Sequence, residues 1–225
     1  MTEPLLSAHH LERVFDLGSE RVRAVHEVDL VINSGELLAV TGRSGSGKTT
    51  LLNLLGGLDT PTSGTVSFQG QELSKLSESE LNELRRHRIG FVFQSFGLLT
   101  LLSAYENVEI ALRIGGWNRG ERQNRAEECL ALVGLSARAH HRPYELSGGE
   151  MQRVAIARAI APHPLLILAD EPTGELDLAT GTEIFNLLKQ ITRREGVGIV
   201  VATHDVVMAQ IVDATRELSD GVFVS

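Results

Sequence analysis

The fold of this chain is decided by the stretch GRSGSGKT, which runs from Gly42 to Thr49. A short apolar run, Leu37 to Val40, precedes it, and a run typical of a helix, Leu51 to Leu55, follows it. A glycine-rich turn between a strand and a helix is the context in which the pattern G-x-x-x-x-G-K-T binds phosphate. The glycines allow a tight backbone that points several N–H groups at one place, and the helix N-terminus adds partial positive charge. We therefore expect a phosphate-binding loop here.

Two side chains at the end of this loop carry groups that a phosphate ligand needs. Lys48 offers a mobile cation to the outer phosphates, and Thr49 offers a hydroxyl to Mg²⁺. The alternative is an ordinary loop of glycine and serine without a ligand, which the surrounding strand and helix disfavour. The loop resembles the Walker A motif of P-loop nucleotidases, although a loop alone does not identify a reaction.

Composition limits the kind of protein that this chain forms. The 225 residues are 42% hydrophobic and 22% charged, which is typical of a soluble globular protein with one large or two small domains. The 21 basic and 29 acidic residues give a net charge of −8. Because there is no basic excess, we do not expect nucleic acid as the main partner.

The sequence shows no pattern of a membrane span or a secretion signal, and cysteine is rare. No apolar run approaches the length that crosses a bilayer, and the N-terminal stretch Met1 to Pro4 lacks the basic and apolar segments of a signal peptide. The lone Cys129 excludes an internal disulfide, which fits a reducing cytoplasm. We expect this cysteine to act as a small buried apolar residue.

Short apolar runs that alternate with helical patterns predict an α/β domain with a mainly parallel sheet. Period-two alternation predicts two strands from His10 to Ile32 around a polar turn at Asp16 to Arg21. Other runs are almost continuously apolar, as in strands covered on both faces. The further predicted strands are Thr65 to Phe68, Ile89 to Phe93, Leu165 to Ala169, Gly198 to Thr203 and a hairpin over Ala214 to Val224 that turns at Asp220-Gly221.

Capping signals locate the helices. Capping boxes at Ser77 to Glu80 and at Ser103 to Glu106 open helices that end near Arg88 and Ile114, and a further helix ends at Val133. Asp177 as N-cap and Gly196 as stop predict a helix from Leu178 to Glu195. From about Ser95 to Tyr144 helices replace strands, which indicates a helical insertion within the α/β domain.

Polar residues follow three of the apolar strands, namely Gln94, the pair Asp170-Glu171, and His204. Ligands of parallel sheets lie at the carboxyl ends of the strands, so these residues converge on the bound phosphate if their strands neighbour the one before Gly42. A lone glutamine or histidine at a strand end is more often a solvated loop residue. Adjacent carboxylates repel each other unless a cation or a base role compensates. Asp170 suits Mg²⁺, held through water, and Glu171 suits activation of an attacking water.

Two apolar features leave alternatives open at this stage. Phe15 lies upstream on the predicted sheet, where it either stacks on a purine ring or belongs to the core. The stretch Phe96 to Leu102 is unusually apolar for a loop, and it is either core of the insertion or a docking surface for another protein.

A second helix start with anion-binding character lies in the stretch Leu146 to Arg153. Ser147, Gly148 and Gly149 open this helix, so one chain carries two such helix ends. The sequence LSGGE, followed by MQRVAIARA, resembles the signature of ATP-binding-cassette (ABC) ATPases. With the loop Gly42–Thr49, Gln94, LLILADEPT, the loop 174–177 and His204, the resemblance covers nearly the whole chain in the right order.

The resemblance implies an architecture. The chain would form one α/β P-loop NTPase domain of the ABC type over residues 1–225. A core with a mainly parallel sheet, together with an N-terminal antiparallel β subdomain, would occupy about 1–94 and 145–225. A helical subdomain over about 95–160 would be inserted and would carry the signature.

The resemblance also implies ATP and Mg²⁺ as cofactors and assigns residues to them. Phe15 would stack on adenine, Glu171 would be the general base, and His204 would contact the γ-phosphate. Gln94 would act beside them, and the Mg²⁺ ligands would be Thr49, Gln94 and Asp170. The residues that hold the phosphates would be Gly42, Ser44, Gly45, Ser46, Gly47, Lys48, Thr49 and Thr50.

The signature would act on a second subunit. In the family, Ser147, Gly148, Gly149 and Glu150 face the phosphate loop of the other copy, so two copies enclose two ATP molecules, and Asp177 bridges the two sites. A separately encoded membrane permease would dock near Gln94–Leu102, which places the chain on the cytoplasmic face of the inner membrane. Departures from the family pattern are Arg43, Thr49-Thr50 where Ser-Thr is common, and Glu175, and none removes a needed group.

Looser matches indicate a subgroup. The stretch Leu55 to Asp59, the turn Pro61 to Gly64 and Ala169 resemble the lipoprotein-release and macrolide-export group, to which the cell-division ATPase also belongs. The expected function is an ATPase that drives export, lipoprotein release or force transmission. One alternative is a regulatory module of a membrane complex without transport. The other is a DNA-repair or chromosome-associated ATPase, for which the sequence lacks the expected heptad run or cysteine cluster.

Overall fold

The computed structural model describes residues 3–18, 20–205 and 210–224 of the chain. Met1 and Thr2 of the N-terminal stretch, and Ser19 of the predicted polar turn, lie outside the described residues. The strands are β1 (Leu6–Leu17), β2 (Glu20–Ile32), β3 (Leu37–Thr41), β4 (Ser63–Phe68), β5 (Gln71–Glu72), β6 (Ile89–Val92), β7 (Leu166–Asp170), β8 (Gly198–Thr203), β9 (Ala214–Ser219) and β10 (Val222–Val224). The α-helices are α1 (Lys48–Leu55), α2 (Glu78–His87), α3 (Ala104–Ile114), α4 (Arg119–Leu132), α5 (Gly148–Ile160) and α6 (Leu178–Glu195).

The larger sheet is mainly parallel, as predicted. Within the described residues its strand order is β10-β9-β3-β8-β7-β6. The strands from β9 to β6 pair in parallel, and β10 joins antiparallel at one edge. Every residue of β3 and β8 is buried, which explains why these strands read as continuous apolar runs.

Alternate residues of each central strand belong to two different cores. Ile167 and Ala169 of β7 pack with α3, α4, α5 and α6 on one face of the sheet. Leu166 and Leu168 face the other way, toward α1 and the smaller sheet. Successive side chains of a strand point to opposite faces, so a strand between two apolar layers needs apolar residues throughout.

The smaller sheet is antiparallel, with the order β2-β1-β4-β5. Two predicted bounds were wrong here, because β1 begins at Leu6 rather than His10 and the turn is shorter than Asp16 to Arg21. Asp16 pairs with Arg21 in the β1–β2 register, and Arg21 Nε donates to Asp16 Oδ1 at 2.7 Å. The polar residues that suggested a turn therefore form a cross-strand ion pair.

The helix predictions are confirmed to within a residue or two at the ends. Ser77 and Ser103 form the predicted capping boxes with Glu80 and Glu106. Helix α6 has the predicted bounds, since the Asp177 side chain accepts from the N–H groups of residues 179 and 180 and Gly196 ends it in the left-handed region. Among the described residues, none of the helices combines the length and apolarity that a membrane span needs.

The apolar loop after β6 and the lone cysteine have different environments. Leu101 is 81% exposed and Leu99 is also exposed, whereas Leu98 packs against the core. Reading the stretch 96–102 as core of the insertion was therefore wrong for these two exposed leucines. Cys129 is fully buried in α4, and burial raises the pKa of its thiol to about 12, so it acts as the predicted apolar filler.

Candidate functional site

The loop between β3 and α1 depends on its glycines for two reasons. Gly42, Gly45 and Gly47 have φ of 152°, 81° and 102°, which side chains rarely adopt. A Cβ on Gly47 would also collide with Ala24 O of β2, and a Cβ on Gly42 would collide with the backbone of β9. The neighbouring strands thus hold the loop from outside.

Helix α1 starts without a side-chain cap. Its N-cap is Gly47, and no acidic residue lies in its first turn. The first N–H groups of a helix have no partner inside the helix, so here they are available to an anion. Lys48 follows immediately, is only 6% exposed, and donates from Nζ to Gly42 O at 2.8 Å and to Arg43 O at 3.0 Å.

The polar ends of the parallel strands lie in sequence along the same edge of the sheet. Strand β8 is the direct neighbour of β3, and β7 and β6 follow it, so the three predicted strand ends meet the loop from one side. His204 Nδ1 lies 2.7 Å from Glu171 Oε2, and Glu171 Oε1 lies 3.4 Å from Lys48 Nζ. Glu171 has φ of 46°, an uncommon value for this residue type, and its N–H donates to Ala202 O.

Asp170 carries an oxygen with no donor among the described residues. Thr49 Oγ1 donates to Asp170 Oδ2 at 2.9 Å, while Oδ1 is buried and unpartnered. Burial, more than the repulsion from Glu171, raises the pKa of this carboxyl group, and the Thr49 hydrogen bond opposes the rise. An orphaned carboxylate oxygen next to a threonine hydroxyl fits a hard cation such as Mg²⁺.

The loop and the strand ends border a cavity of about 1240 Å³, and Asp170 reaches it only through its hydrogen-bond partner Thr49. Among the predicted site residues, those that line it are Gly42, Ser44, Gly45, Gly47, Lys48, Thr49, Thr50, Gln94, Glu171 and His204. Ser46 does not line it, because its side chain is buried toward Gly42 and its carbonyl accepts from the Gly221 N–H.

The signature residues lie outside this cavity and are bonded within their own helix. Ser147 Oγ accepts from the Glu150 N–H at 3.2 Å, and Glu150 Oε2 accepts from the Ser147 N–H at 2.8 Å. The bonds from Ser147 and the charge of Arg138 lower the pKa of Glu150. A Cβ on Gly149 would lie 2.5 Å from Thr180 Cγ2, so this glycine also lets α5 approach the first turn of α6.

Comparisons with known proteins identify the family of this chain. A family model described as ABC transporter matches residues 25–174, which is more than half of the chain. The chain belongs to the ABC transporter family. Membership of this family, together with a similar cassette solved in a post-hydrolysis state, shows that the chain is an ATPase that binds ATP.

Solved structures of ABC cassettes share this fold along nearly the whole chain. The ATP-binding cassette MJ0796, solved as a dimer in a post-hydrolysis state with ADP and Pi, is 42% identical to this chain. That match covers 98% of this chain and 97% of the other, with a TM-score of 0.89. The cassette cbiO1 from Clostridium perfringens, part of the ABC transporter complex cbiONQ, is 27% identical over 100% of this chain and 88% of its own, with a TM-score of 0.90. The predicted ABC-type α/β fold is confirmed.

Sequence analysis missed one wall of the cavity of this ABC cassette. Val22, Arg23 and Ala24 of β2 line it, together with Thr215, Glu217 and Asp220 of the C-terminal hairpin. The turn at Asp220-Gly221 was predicted only as a hairpin, and nothing local in it indicates that it meets the phosphate loop.

Phe15, the predicted adenine platform, does not line the cavity. It pairs with Val22, which does, and the guanidinium of Arg13 lies 4.5 Å from the centre of its ring. The aromatic ring thus stands one strand away from the cavity wall, and a role with adenine stays a prediction.

Proposed function

We propose that this ABC ATPase works as a pair of identical cassettes that enclose two ATP molecules and drive a separately encoded membrane protein. The single observation that carries the proposal is the separation of the two halves of the site within one chain. The phosphate loop, Glu171 and His204 share a cavity, whereas the signature at Ser147–Glu150 and Asp177 lie outside it. The dimeric state of the similar cassette MJ0796 supports the pairing.

In the cavity half, the loop amides would bind the phosphates, and Lys48 would exchange its loop carbonyls for phosphate oxygens. The Glu171 carboxylate would accept a proton from the attacking water. His204 would keep that carboxylate in place through the 2.7 Å contact with its Oε2 and would itself contact the γ-phosphate. Phe15 would support the adenine ring.

Thr49, Gln94 and Asp170 would hold Mg²⁺. The buried Asp170 Oδ1 that no donor satisfies in the described residues supports this assignment. When bound, the ion neutralises charge on the phosphate oxygens. Gln94 lines the phosphate cavity together with Thr49, which supports its assignment as the third ligand.

In the partner half, the start of α5 would meet the phosphates of the other copy. The side chains of Ser147 and Glu150 already bond each other, so the backbone N–H groups of Gly148 and Gly149 are the available donors. The Ser147 hydroxyl donates to Glu150 Oε2 at 3.0 Å and would have to exchange that bond for one to phosphate. Asp177 caps α6, whose first turn packs against Gly149, and would bridge the two sites.

The membrane partner would dock beside the loop that follows Gln94. Leu99 and Leu101 are exposed there, and Phe93 and Ile114 border an adjacent groove of about 350 Å³. Contiguous exposed apolar surface of this kind marks protein contact sites. The chain would then lie peripherally on the cytoplasmic face of the cell membrane, and the lipoprotein-release and macrolide-export group remains the proposed subgroup.

The proposal is tested with Glu171→Gln, which keeps the shape of the side chain and removes the base. We expect retained ATP binding, turnover lowered by roughly a hundredfold or more, and an accumulated ATP-bound dimer, measured by light scattering after size-exclusion chromatography. Glu27→Gln is the matched control, because Glu27 of β2 is exposed, has no partner among the described residues and lies outside the cavity and the signature. Normal hydrolysis by Glu171→Gln would contradict the assignment of the base.

The trans role of the signature is tested with Ser147→Arg. This change should stop hydrolysis and pairing but leave ATP binding to the isolated monomer intact, because Ser147 does not line the cavity of its own chain. Fluorescent-ATP titration of dilute protein measures the binding. If monomer binding is lost, the signature acts within its own chain and the paired site is wrong.

A further inference from the structure

Arg158 of α5 is a half-buried arginine without a carboxylate partner among the described residues. Its guanidinium donates from Nη1 to Gly97 O at 2.6 Å and from Nη2 to Phe96 O at 3.1 Å. Arg125, which also donates to backbone carbonyls at the end of α5, differs because it has ion pairs with Glu128 and Glu195. Burying an unpaired guanidinium costs free energy, so a positional role for Arg158 accounts for its placement.

The carbonyls that Arg158 binds belong to an unusual turn. Phe96 and Gly97 both have φ of 59°, so two consecutive residues are in the left-handed region. Residues other than glycine rarely adopt that region, because their Cβ is too close to the backbone there. Two carbonyls so presented match the planar fork of one guanidinium, whereas a single ammonium group cannot reproduce that geometry.

The turn connects three parts of the proposed mechanism. A Cβ on Gly148 would lie 3.8 Å from Phe96 Cζ, so the ring packs beside the first residues of the signature helix. Gln94, just before the turn, approaches Gly174 in the loop that leads to Asp177. The segment after the turn presents the exposed Leu99 and Leu101, and Arg158 itself lines the adjacent groove.

We propose that Arg158 is a positioning residue that locks the turn at residues 95–97 onto α5. The loop that would receive the membrane partner and the helix that begins with the signature then move as one body. The consequence for hydrolysis rests on the proposed function of the signature in a pair of cassettes. The lock itself does not, because it lies within one chain.

The lock is tested by amide hydrogen exchange on the full chain without nucleotide. Arg158→Lys keeps the charge but loses the fork, and we expect amides of residues 95–99 to exchange about tenfold faster, as the loss of one charge-assisted hydrogen bond implies. Arg125→Lys is the matched control, and it should leave those amides unchanged. Unchanged exchange in Arg158→Lys, or an equal rise in both variants, would overturn the proposal.

Turnover gives a second measurement. Arg158→Lys should lower kcat by about tenfold with the KM for ATP unchanged, because the phosphate loop is not touched. Phe96→Ala keeps the backbone carbonyls that Arg158 binds and removes only the ring beside Gly148, so it should lower kcat to a similar extent while the exchange of residues 95–99 rises less. This variant also serves if Arg158→Lys does not fold.

An unchanged kcat in Phe96→Ala would overturn the link to the signature. Failure of the Glu171→Gln dimer would contradict the paired site and leave the exchange result standing.

Discussion

The molecule begins two helices with glycine-rich, anion-binding sequences, and it builds the two starts differently. Helix α1 opens from Gly47 with no side-chain cap and faces a cavity that the adjacent Lys48 helps to line. Helix α5 opens from Ser147 with a complete capping box, and none of its first residues lines that cavity. The first start therefore has N–H groups waiting for a ligand of the same chain.

The first turn of α5 already has its capping hydrogen bonds without a ligand. Its glycines meet other parts of the chain, since Gly148 approaches Leu176 and Gly149 approaches Thr180. The donors that this start can offer to a phosphate without breaking its capping box are the N–H groups of Gly148 and Gly149. Similar anion-binding sequences therefore need not be equally available to a ligand, and this supports the proposal that the second start serves another molecule.

Two alanine variants of the loop before α1 distinguish a collision with neighbouring backbone from strain within the loop itself. In Gly47→Ala the new Cβ collides with Ala24 O at a φ of 102°, whereas in Gly45→Ala it meets nothing within 4 Å at a φ of 81°. We expect a loss of about 3 kcal/mol in the free energy of unfolding for Gly47→Ala and about 1 kcal/mol for Gly45→Ala. Urea denaturation measures both.

The same pair of variants should differ in ligand binding. Because the collision moves the loop away from β2, Gly47→Ala should abolish measurable ATP binding, while Gly45→Ala should weaken it. Isothermal titration with ATP is the check. Equal losses in the two variants would show that the approach of β2 does not shape the loop.

Local signals in the sequence were sufficient for much of the fold. The bounds of α6 follow from Asp177 and Gly196, because a cap and a stop act within one turn of the helix. The continuous apolar run of β8 likewise predicts a strand covered on both faces. These features need no information about the rest of the chain.

Contacts between segments that are distant in the sequence could not be predicted from local patterns. The Asp16–Arg21 ion pair has the composition of a turn and lies in a strand pair, so the local pattern was misleading. The wall formed by β2 and the C-terminal hairpin depends on where those segments pack, which no local pattern specifies. The same holds for Gly149, whose neighbour Thr180 lies on another helix. Packing against that helix requires a glycine at this position, whether or not the residue also contacts phosphate.

A double-mutant cycle at Gly149 and Thr180 distinguishes packing against α6 from ligand binding as the reason why this position is a glycine. Gly149→Ala places a Cβ 2.5 Å from Thr180 Cγ2, which should cost about 2 kcal/mol by overpacking. Thr180→Ser removes Cγ2 and keeps the hydroxyl that donates to Asp177 Oδ2 at 2.6 Å. We expect the double variant to recover most of the lost stability in urea denaturation.

Hydrolysis by the same double variant shows which requirement dominates. If Gly149 also faces the phosphates of a partner copy, as proposed, stability returns without ATPase activity. Full recovery of ATPase activity would mean that the glycine is needed only for packing against α6, and the contrast between the two helix starts would then lose its functional meaning at this position.

The smallest expected effect concerns the charge that closes the capping box of α5. Hydrogen bonds from Ser147 and the charge of Arg138 lower the pKa of Glu150 below its ordinary value of 4.5. A lowered pKa in the folded state means that the carboxylate stabilises the fold above the unfolded-state pKa, and that this contribution is lost as pH falls through the folded-state value. Because the Glu150 side chain is partly exposed to solvent, which screens its charge, the contribution should be below about 1 kcal/mol.

Glu150→Gln keeps the shape and an acceptor oxygen and removes the titration. The free energy of unfolding of the two proteins should differ slightly at neutral pH, in favour of the original chain, and should converge below pH 4.5, the ordinary value of the carboxyl group. Glu175→Gln, at an exposed glutamate without a partner in the described residues, is the control for the loss of one negative charge. A constant difference across this pH range would mean that the capping box of α5 acts through shape alone. Its start would then resemble that of α1, which has no carboxylate in its first turn.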